Sequence, residues 1–212
     1  ARLVNSLVSN GNFEYHGCEN LPKEGPVMIC ANHVAGLDPI ALTGILYKEH
    51  NMRTMYFMVK EEFFHVFYTK IPLLFLGGFP VKRGTADRDS HEYAMKILNE
   101  GHCLLVFPEG TRDKTRSRPK VENAKAGVAL IARETKASVV PMSIYRGPTE
   151  KGKKDKYVMR LGEVIPFEEL GLGDKPKSKE LKAATNLIME RIIELWDIAR
   201  SEERFSRNAE TD

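Results

Sequence analysis

Apolar residues along this chain fall into two rhythms. Short runs rich in Val, Ile, Phe, Tyr and Met recur as "FEYHG" (13–17), "PVMICA" (26–31), "RTMYFMV" (53–59), "FPVKR" (79–83), "CLLVFP" (103–108), "SVVPMSIY" (138–145) and "YVMRLGE" (157–163). Their length and their β-branched and aromatic content predict strands. Between them, apolar residues at three- and four-residue steps predict helices near 39–48, 61–68, 87–99, 122–135 and 178–203. That alternation predicts an α/β fold with a mostly parallel central sheet flanked by helices.

The last helix carries the clearest pattern. Leu181, Ala184, Ile188, Ile192, Leu195 and Ala199 form one apolar stripe, with Trp196 beside it, that should dock on the domain. The polar tail 204–212 is expected to fray. The lysine-rich "TEKGKKDK" (149–156) reads as a solvated hairpin loop between two strands. The stretch "EEFFHVFYTKIPLLFLGG" (61–78) gathers Phe63, Phe64, Phe67, Tyr68, Leu73 to Leu76 in two helical patterns divided by Pro72. Two readings of it stay open: packing into the core, or an apolar groove or membrane-facing patch.

Composition narrows the possibilities. The 212 residues, 42% hydrophobic, suit a single domain over 1–212 with a sizeable core. Lys+Arg of 32 against Asp+Glu of 29 leaves +3, which argues against a general nucleic-acid binder and makes any basic site local. Cys18, Cys30 and Cys103 have no CxxC spacing and read as reduced thiols of a cytosolic protein, without a zinc site or disulfide framework. No run of eighteen apolar residues predicts a transmembrane helix. The opening "ARLVNSLVSNGN" has neither a signal-peptide core nor a strong amphipathic face, and its abrupt start at Ala1 is compatible with a preceding membrane-binding segment.

Candidate chemistry concentrates at strand ends. In "CANHVAGLDPIALTGIL", which begins at Cys30, Asp38 before Pro39 reads as a helix N-cap with proline at the first helical position. A return loop containing Gly36 can also bring the Asp38 carboxylate back to His33, fixing one ring nitrogen and leaving the other free to take a proton. In "VFPEGTRDK" (106–114) a strand delivers Glu109, Gly110, Thr111 and Arg112, with a sharp turn, a hydroxyl and a planar phosphate-binding fork. In "GGFPVKRG" (77–84) two glycines precede a strand bearing Lys82 and Arg83. Each has an ordinary structural explanation when taken singly. Together, an oriented base and two basic loops suggest activation of a hydroxyl on a phosphorylated acceptor. No G-x-S-x-G elbow or Cys–His pairing is evident, so direct transfer fits better than a covalent acyl-enzyme.

These blocks resemble the glycerophospholipid acyltransferase family, the group that contains bacterial 1-acyl-glycerol-3-phosphate acyltransferases. "NHVAGLD" matches its N-H-x4-D block, "GGFPVKRG" looks like its second, "FPEGTR" matches its third and "VVPMSI" (139–144) resembles its fourth, in the same order over residues 13–165. The second block departs at Pro80 and Lys82. The resemblance implies His33 and Asp38 as the catalytic pair, with Asn32, Arg83, Glu109, Gly110, Thr111 and Arg112 binding substrate and Pro141 positioning a strand beside the acyl groove. It implies transfer of an acyl group from acyl-CoA or acyl carrier protein to lysophosphatidate, with backbone N–H groups near His33 as candidate oxyanion donors. Glycerol-3-phosphate and other lysophospholipids are alternative acceptors. Neither a metal nor a cofactor beyond the acyl donor is expected, nor a nucleic-acid partner. Peripheral association with the cytoplasmic face of a membrane is expected, through segment 63–76 or the basic run "RDKTRSRPK" (112–120). Rival readings are a metal-dependent hydrolase using His33 and Asp38 as ligands, and a non-catalytic module binding anionic lipid through Arg83 and Arg112.

Overall fold

The computed structural model describes residues 12–36, 38, 39, 41, 42, 54–82, 87–147 and 156–209. Its centre is a seven-stranded sheet: β1 (Asn12–His16), β2 (Val27–Ala31), β3 (Met55–Lys60), β4 (Gly78–Val81), β5 (Cys103–Val106), β6 (Ser138–Arg146) and β7 (Lys156–Leu161), in the order β1-β7-β6-β2-β5-β3-β4. The strands from β6 to β4 run parallel; β7 is antiparallel to β6, and β1 follows β7. The hairpin expected at 149–156 falls on residues 148–155, outside the described residues apart from Lys156.

The middle strands are apolar throughout because both faces of the sheet are covered. All five residues of β2 are buried. Met28 and Cys30 point into one core with Leu104, Val139, Ile188 and Ile192. Val27, Ile29 and Ala31 point into the other with Phe57, Leu105, Val140 and Met142. Four α-helices are described in full, α1 (Phe67–Phe75), α2 (Arg88–Asn99), α3 (Gly127–Thr135) and α4 (Ser178–Ala209). Residues of α2, α3 and α4 line the first core. The second core is closed partly by Val34, Ala41 and Leu42 and by Leu73 and Leu76 at α1. Of the helix expected at 39–48, residues 39, 41 and 42 are helical and the rest lies outside the described residues.

Helix α4 is the expected docking helix, burying Ala184, Ile188, Ile192, Trp196 and Ala199, each large aliphatic side chain worth about 1.5–3 kcal/mol. Trp196 meets Tyr145 edge-on at 5.3 Å. The helix does not stop at 203: residues 204–209 continue it, and Glu203 is buried. At 1.5 Å per residue it is about 48 Å long.

Two helix boundaries differ from the pattern. Residues 61–68 split into a 3-10 turn, Glu61–Phe64, and the start of α1, because Val66 is extended. Pro72 lies inside α1 instead of dividing it, on the exposed side where water can serve the carbonyl its missing N–H leaves. The helix expected at 122–135 begins only at Gly127, since the Lys125 N–H donates to Pro108 O at 3.0 Å and pulls the chain off the helical path. Core packing for the aromatic segment is also overturned in part: Leu73 and Leu76 reach the core, whereas Phe63, Phe67, Tyr68, Ile71, Leu74 and Phe75 are exposed.

Proline has a distinct use in each of two strands. Pro80 sits on β4, an edge strand where one side needs no partner. Pro141 lies within β6, where Gly162 N–H donates to Pro141 O at 2.9 Å. Having no N–H to return, Pro141 ends the β6–β7 ladder at Met142↔Leu161. A Cβ on Gly162 would lie 3.1 Å from Pro141 Cγ and 2.9 Å from Leu195 Cδ1, so the close approach needs glycine.

Candidate active site

The chain leaving β2 is held to β6 by one side chain. Asn32 Nδ2 donates to Ile144 O at 2.9 Å and Ile144 N donates to Asn32 Oδ1 at 2.7 Å, one rung beyond the last strand pair, Ala31↔Met142. Asn32 is buried and both ends of its amide are committed to backbone. It is therefore a bridge that positions the next residue.

His33 follows directly. Its Nδ1 lies 2.9 Å from Asp38 Oδ2, and the same oxygen accepts the N–H groups of Val34 and Ala35, each at 2.8 Å. A carboxylate only accepts, so Nδ1 carries the hydrogen, and in the neutral ring the Nε2 lone pair is left to accept; no described residue bonds Nε2. The Oδ2 oxygen is thus turned back onto the loop and the imidazole. The return loop that Gly36 was expected to permit is present, and the N-cap explanation does not account for this oxygen. Phe107, just past β5, stacks on the His33 ring with centroids 4.1 Å apart and planes 18° apart. The ring therefore has an apolar wall on one face and a fixed plane.

The second loop grips the His33 backbone at both ends. Glu109 Oε2 accepts the His33 N–H at 3.4 Å, and Asp113 N–H donates to His33 O at 2.8 Å. Burial pushes the Glu109 carboxyl above its ordinary range; the His33 N–H works against this, and the nearby Asp113 charge adds to it. The N–H groups of His33, Val34 and Ala35 are all taken by carboxylates, so these three are not free to serve as oxyanion donors. Gly110, at φ +67°, makes the tight turn with its N–H on Phe107 O at 2.9 Å, and a Cβ there would lie 3.1 Å from Lys125 Nζ.

Thr111 and Arg112 are exposed. The Arg112 guanidinium lies over the His33–Asp38 loop, since a Cβ on Gly36 would be 3.0 Å from its Nη1. Beyond it the basic run is tied down. Asp113 accepts from Thr115 N and Oγ1 at 2.8 and 2.6 Å, and from Ser117 N and Oγ at 3.0 and 2.5 Å. Burial would raise its carboxyl, yet these four donors outweigh it and hold the pKa at about 2. Arg118 makes a two-point ion pair with Asp197 on α4, at 2.9 and 2.7 Å. Lys114 and Lys120 stay exposed.

Arg83 lies outside the described residues. Its neighbour Lys82 is exposed and donates its N–H to Asp87, the N-cap of α2, at 2.6 Å. A cavity of about 450 Å³ opens beside Lys82 between Tyr56, Leu74, Phe79 and Tyr93. It neighbours the first core, whereas His33 sits over the second, so it is not the site of the His33 pair. Among the described residues no three His, Cys, Asp or Glu side chains are grouped to hold a metal ion, and no helix is long and apolar enough to cross a membrane. Phe107, Asp113 and Ile144 are the contributors that sequence patterns missed. Phe107 was readable as a strand residue beside "PEGTR", but its stacking depends on two non-adjacent segments.

Comparison with known proteins gives a consistent family. A family model described as Acyltransferase matches residues 12–145. The chain is 32% identical over 194 residues to the 1-acyl-sn-glycerol-3-phosphate acyltransferase of Bacillus subtilis (strain 168), covering 89% of this chain and 90% of that protein. It is 27% identical over 168 residues to the protein of the same name in Streptococcus pneumoniae, covering 76% of this chain and 58% of that one. The crystal structure of the 1-acyl-sn-glycerophosphate (LPA) acyltransferase PlsC from Thermotoga maritima shares the fold, with TM-score 0.64 and 22% identity over 91% of this chain and 78% of that one.

Proposed function

The chain belongs to the acyltransferase family, and from that premise we propose that it transfers a fatty acyl group from a thioester donor to the free hydroxyl of lysophosphatidate, giving phosphatidate. The observation that carries the reading is the His33 Nδ1 to Asp38 Oδ2 contact of 2.9 Å, which leaves Nε2 to act as the base, with the exposed Arg112 over the same loop.

In this mechanism Nε2 takes the proton of the acceptor hydroxyl as its oxygen attacks the thioester carbonyl carbon. Asp38 offsets the charge of the resulting imidazolium. The tetrahedral intermediate collapses with cleavage of the C–S bond, and the imidazolium returns the proton to the departing sulfur. Arg112, with Arg83, holds the acceptor phosphate; Gly110 and Thr111 shape the turn that presents it. Glu109 acts through the His33 backbone, because a carboxylate against a phosphate would repel it.

The donor is acyl-CoA or acyl carrier protein. Exposed Lys114 and Lys120 support a negatively charged carrier of either kind. The reaction needs no further cofactor. The lipid acceptor and product support peripheral association with a membrane, and the three free cysteines support its cytoplasmic face.

The test supplies purified protein with lysophosphatidate, other lysophospholipids or glycerol-3-phosphate, together with acyl-CoA or acyl carrier protein. Products are identified by mass spectrometry beside His33→Ala. Phosphatidate that vanishes in the folded variant is expected. Lipid binding without turnover by any donor and acceptor pair would overturn the enzyme reading in favour of a binding module.

A further inference from the structure

Helix α1 is amphipathic in the wrong sense for a helix of a water-surrounded surface. Thr69, Leu73 and Leu76 share the inward side, with Leu73 and Leu76 on the second core. At 100° per residue, Phe67, Ile71 and Phe75 align along the opposite side, flanked by Tyr68 and Leu74. Their exposure is 77%, 51% and 85%, with Tyr68 at 80%. Six of the nine exposed large hydrophobic side chains among the described residues lie between Phe63 and Phe75. Such concentration in one contiguous patch marks an interaction surface.

The patch is placed relative to the chemistry. Leu73 and Leu76 pack on the same core cluster as Val34 and Phe107, so α1 and the His33 loop share one face of the sheet. The register Phe57↔Leu105, carried forward two residues, sets Val59 level with Phe107, which stacks on His33. The chain then enters α1 from that same strand-end edge. A Cβ on Gly78 of β4 would lie 3.0 Å from Leu73 O, so the helix lies against β4; with β5 and β3 between β2 and β4, its lateral separation from the base is three strand spacings, roughly 14 Å.

Charge selects the occupant. Lys70 is the only charged residue of α1 and is exposed on the rim of the apolar stripe, and no acidic residue lies within the helix. Arg112 is exposed over the His33–Asp38 loop, which shares that face of the sheet. A stripe with aromatic residues at both ends and Lys70 at its rim, on the same face as the exposed Arg112, is complementary to the headgroup and acyl boundary of an anionic bilayer.

We infer that α1 is the element that enters the bilayer interface, through Phe67, Ile71 and Phe75, and so brings the His33 edge of the sheet against the membrane that holds the acyl acceptor. The inference rests on the lipid-acylating reading above for its purpose, but not for its test.

The experiment uses vesicles of phosphatidylglycerol and phosphatidylethanolamine and a Phe67→Glu, Ile71→Glu, Phe75→Glu variant, whose exposed positions leave the fold intact. Vesicle sedimentation should show at least tenfold weaker binding. Acylation of long-chain lysophosphatidate in vesicles should fall by a similar factor, while a short-chain, water-soluble lysophosphatidate is acylated at the wild-type rate. In Phe75→Trp, emission from the introduced indole should shift to the blue and be quenched by brominated acyl chains. Unchanged vesicle binding with no quenching overturns the inference, as does a variant that merely converts a dimer to a monomer by light scattering. If neither substrate is turned over by the wild type, the acylation reading fails, while binding and quenching still decide the role of α1.

Discussion

Asn32 and Ile144 are joined by a pair of hydrogen bonds, 2.9 and 2.7 Å long, in which a side-chain amide takes the place of a strand residue. The pair joins β6 to the end of β2, and Asn32 immediately precedes His33. Asn32→Ala leaves the buried Ile144 N–H and C=O without partners. A loss of about 1–3 kcal/mol of stability is expected, read as a lower urea midpoint at unchanged slope. Turnover should fall with little change in KM, because the base is displaced while the exposed Arg112 is not.

Asp38 gathers His33 Nδ1 and two backbone N–H groups on one oxygen. Asp38→Asn keeps the volume, but an amide nitrogen turned toward these donors cannot accept from them. Even with its oxygen in place the neutral amide stabilises the imidazolium less. Turnover is expected to fall by about 10²–10⁴-fold. A steady-state comparison with His33→Ala and the double variant should show strong non-additivity, since in the proposed mechanism both residues serve one proton transfer.

Burial raises the Glu109 carboxyl, so it takes up a proton more readily in the folded protein than in the unfolded chain. A raised folded pKa means the native state binds more protons than the unfolded chain in the window between the two values. Stability contributed by this group is then greatest below the unfolded pKa, about 4.3, and declines as pH rises through the folded one. Glu109→Gln removes that dependence while keeping an oxygen for the His33 N–H. Melting curves across pH should show the variant gaining on the wild type as pH rises from 4 toward neutrality. A difference independent of pH would contradict the assignment.

Asp113 has the opposite sign, with a pKa held at about 2 by Thr115 and Ser117. Its contribution is complete above the unfolded value, about 3.9, and is lost as pH falls from there toward 2. Because Asp113 also bonds His33 O and follows Arg112, Asp113→Ala should loosen both. We expect KM for the phosphorylated acceptor to rise severalfold and limited proteolysis to cut first within 112–120. Asp113→Asn, which retains acceptor capacity on one oxygen, should recover part of the KM effect.

The sequence by itself determined the strands, the alternation of strand and helix, the family and the position of the candidate site residues at strand ends. Those features depend on local periodicity and on residue types that a short segment must carry, such as the unbroken apolar run of β2 or the turn at Gly110. It also placed His33 and Asp38 within one loop, so that their contact needed only a short return of chain. The order of the strands, the two-sided grip of Glu109 and Asp113 on His33 and the use of Asn32 as a rung to Ile144 were decided by the tertiary structure, because each joins segments far apart in the chain. The same holds for the helix boundary at Lys125, whose backbone N–H answers to the distant Pro108 O. Most of all, the apolar periodicity of 67–75 is the same whether the stripe faces a core or solvent. Only the packing of Leu73 and Leu76 against the sheet fixed which side is turned inward, and so left Phe67, Ile71 and Phe75 outside.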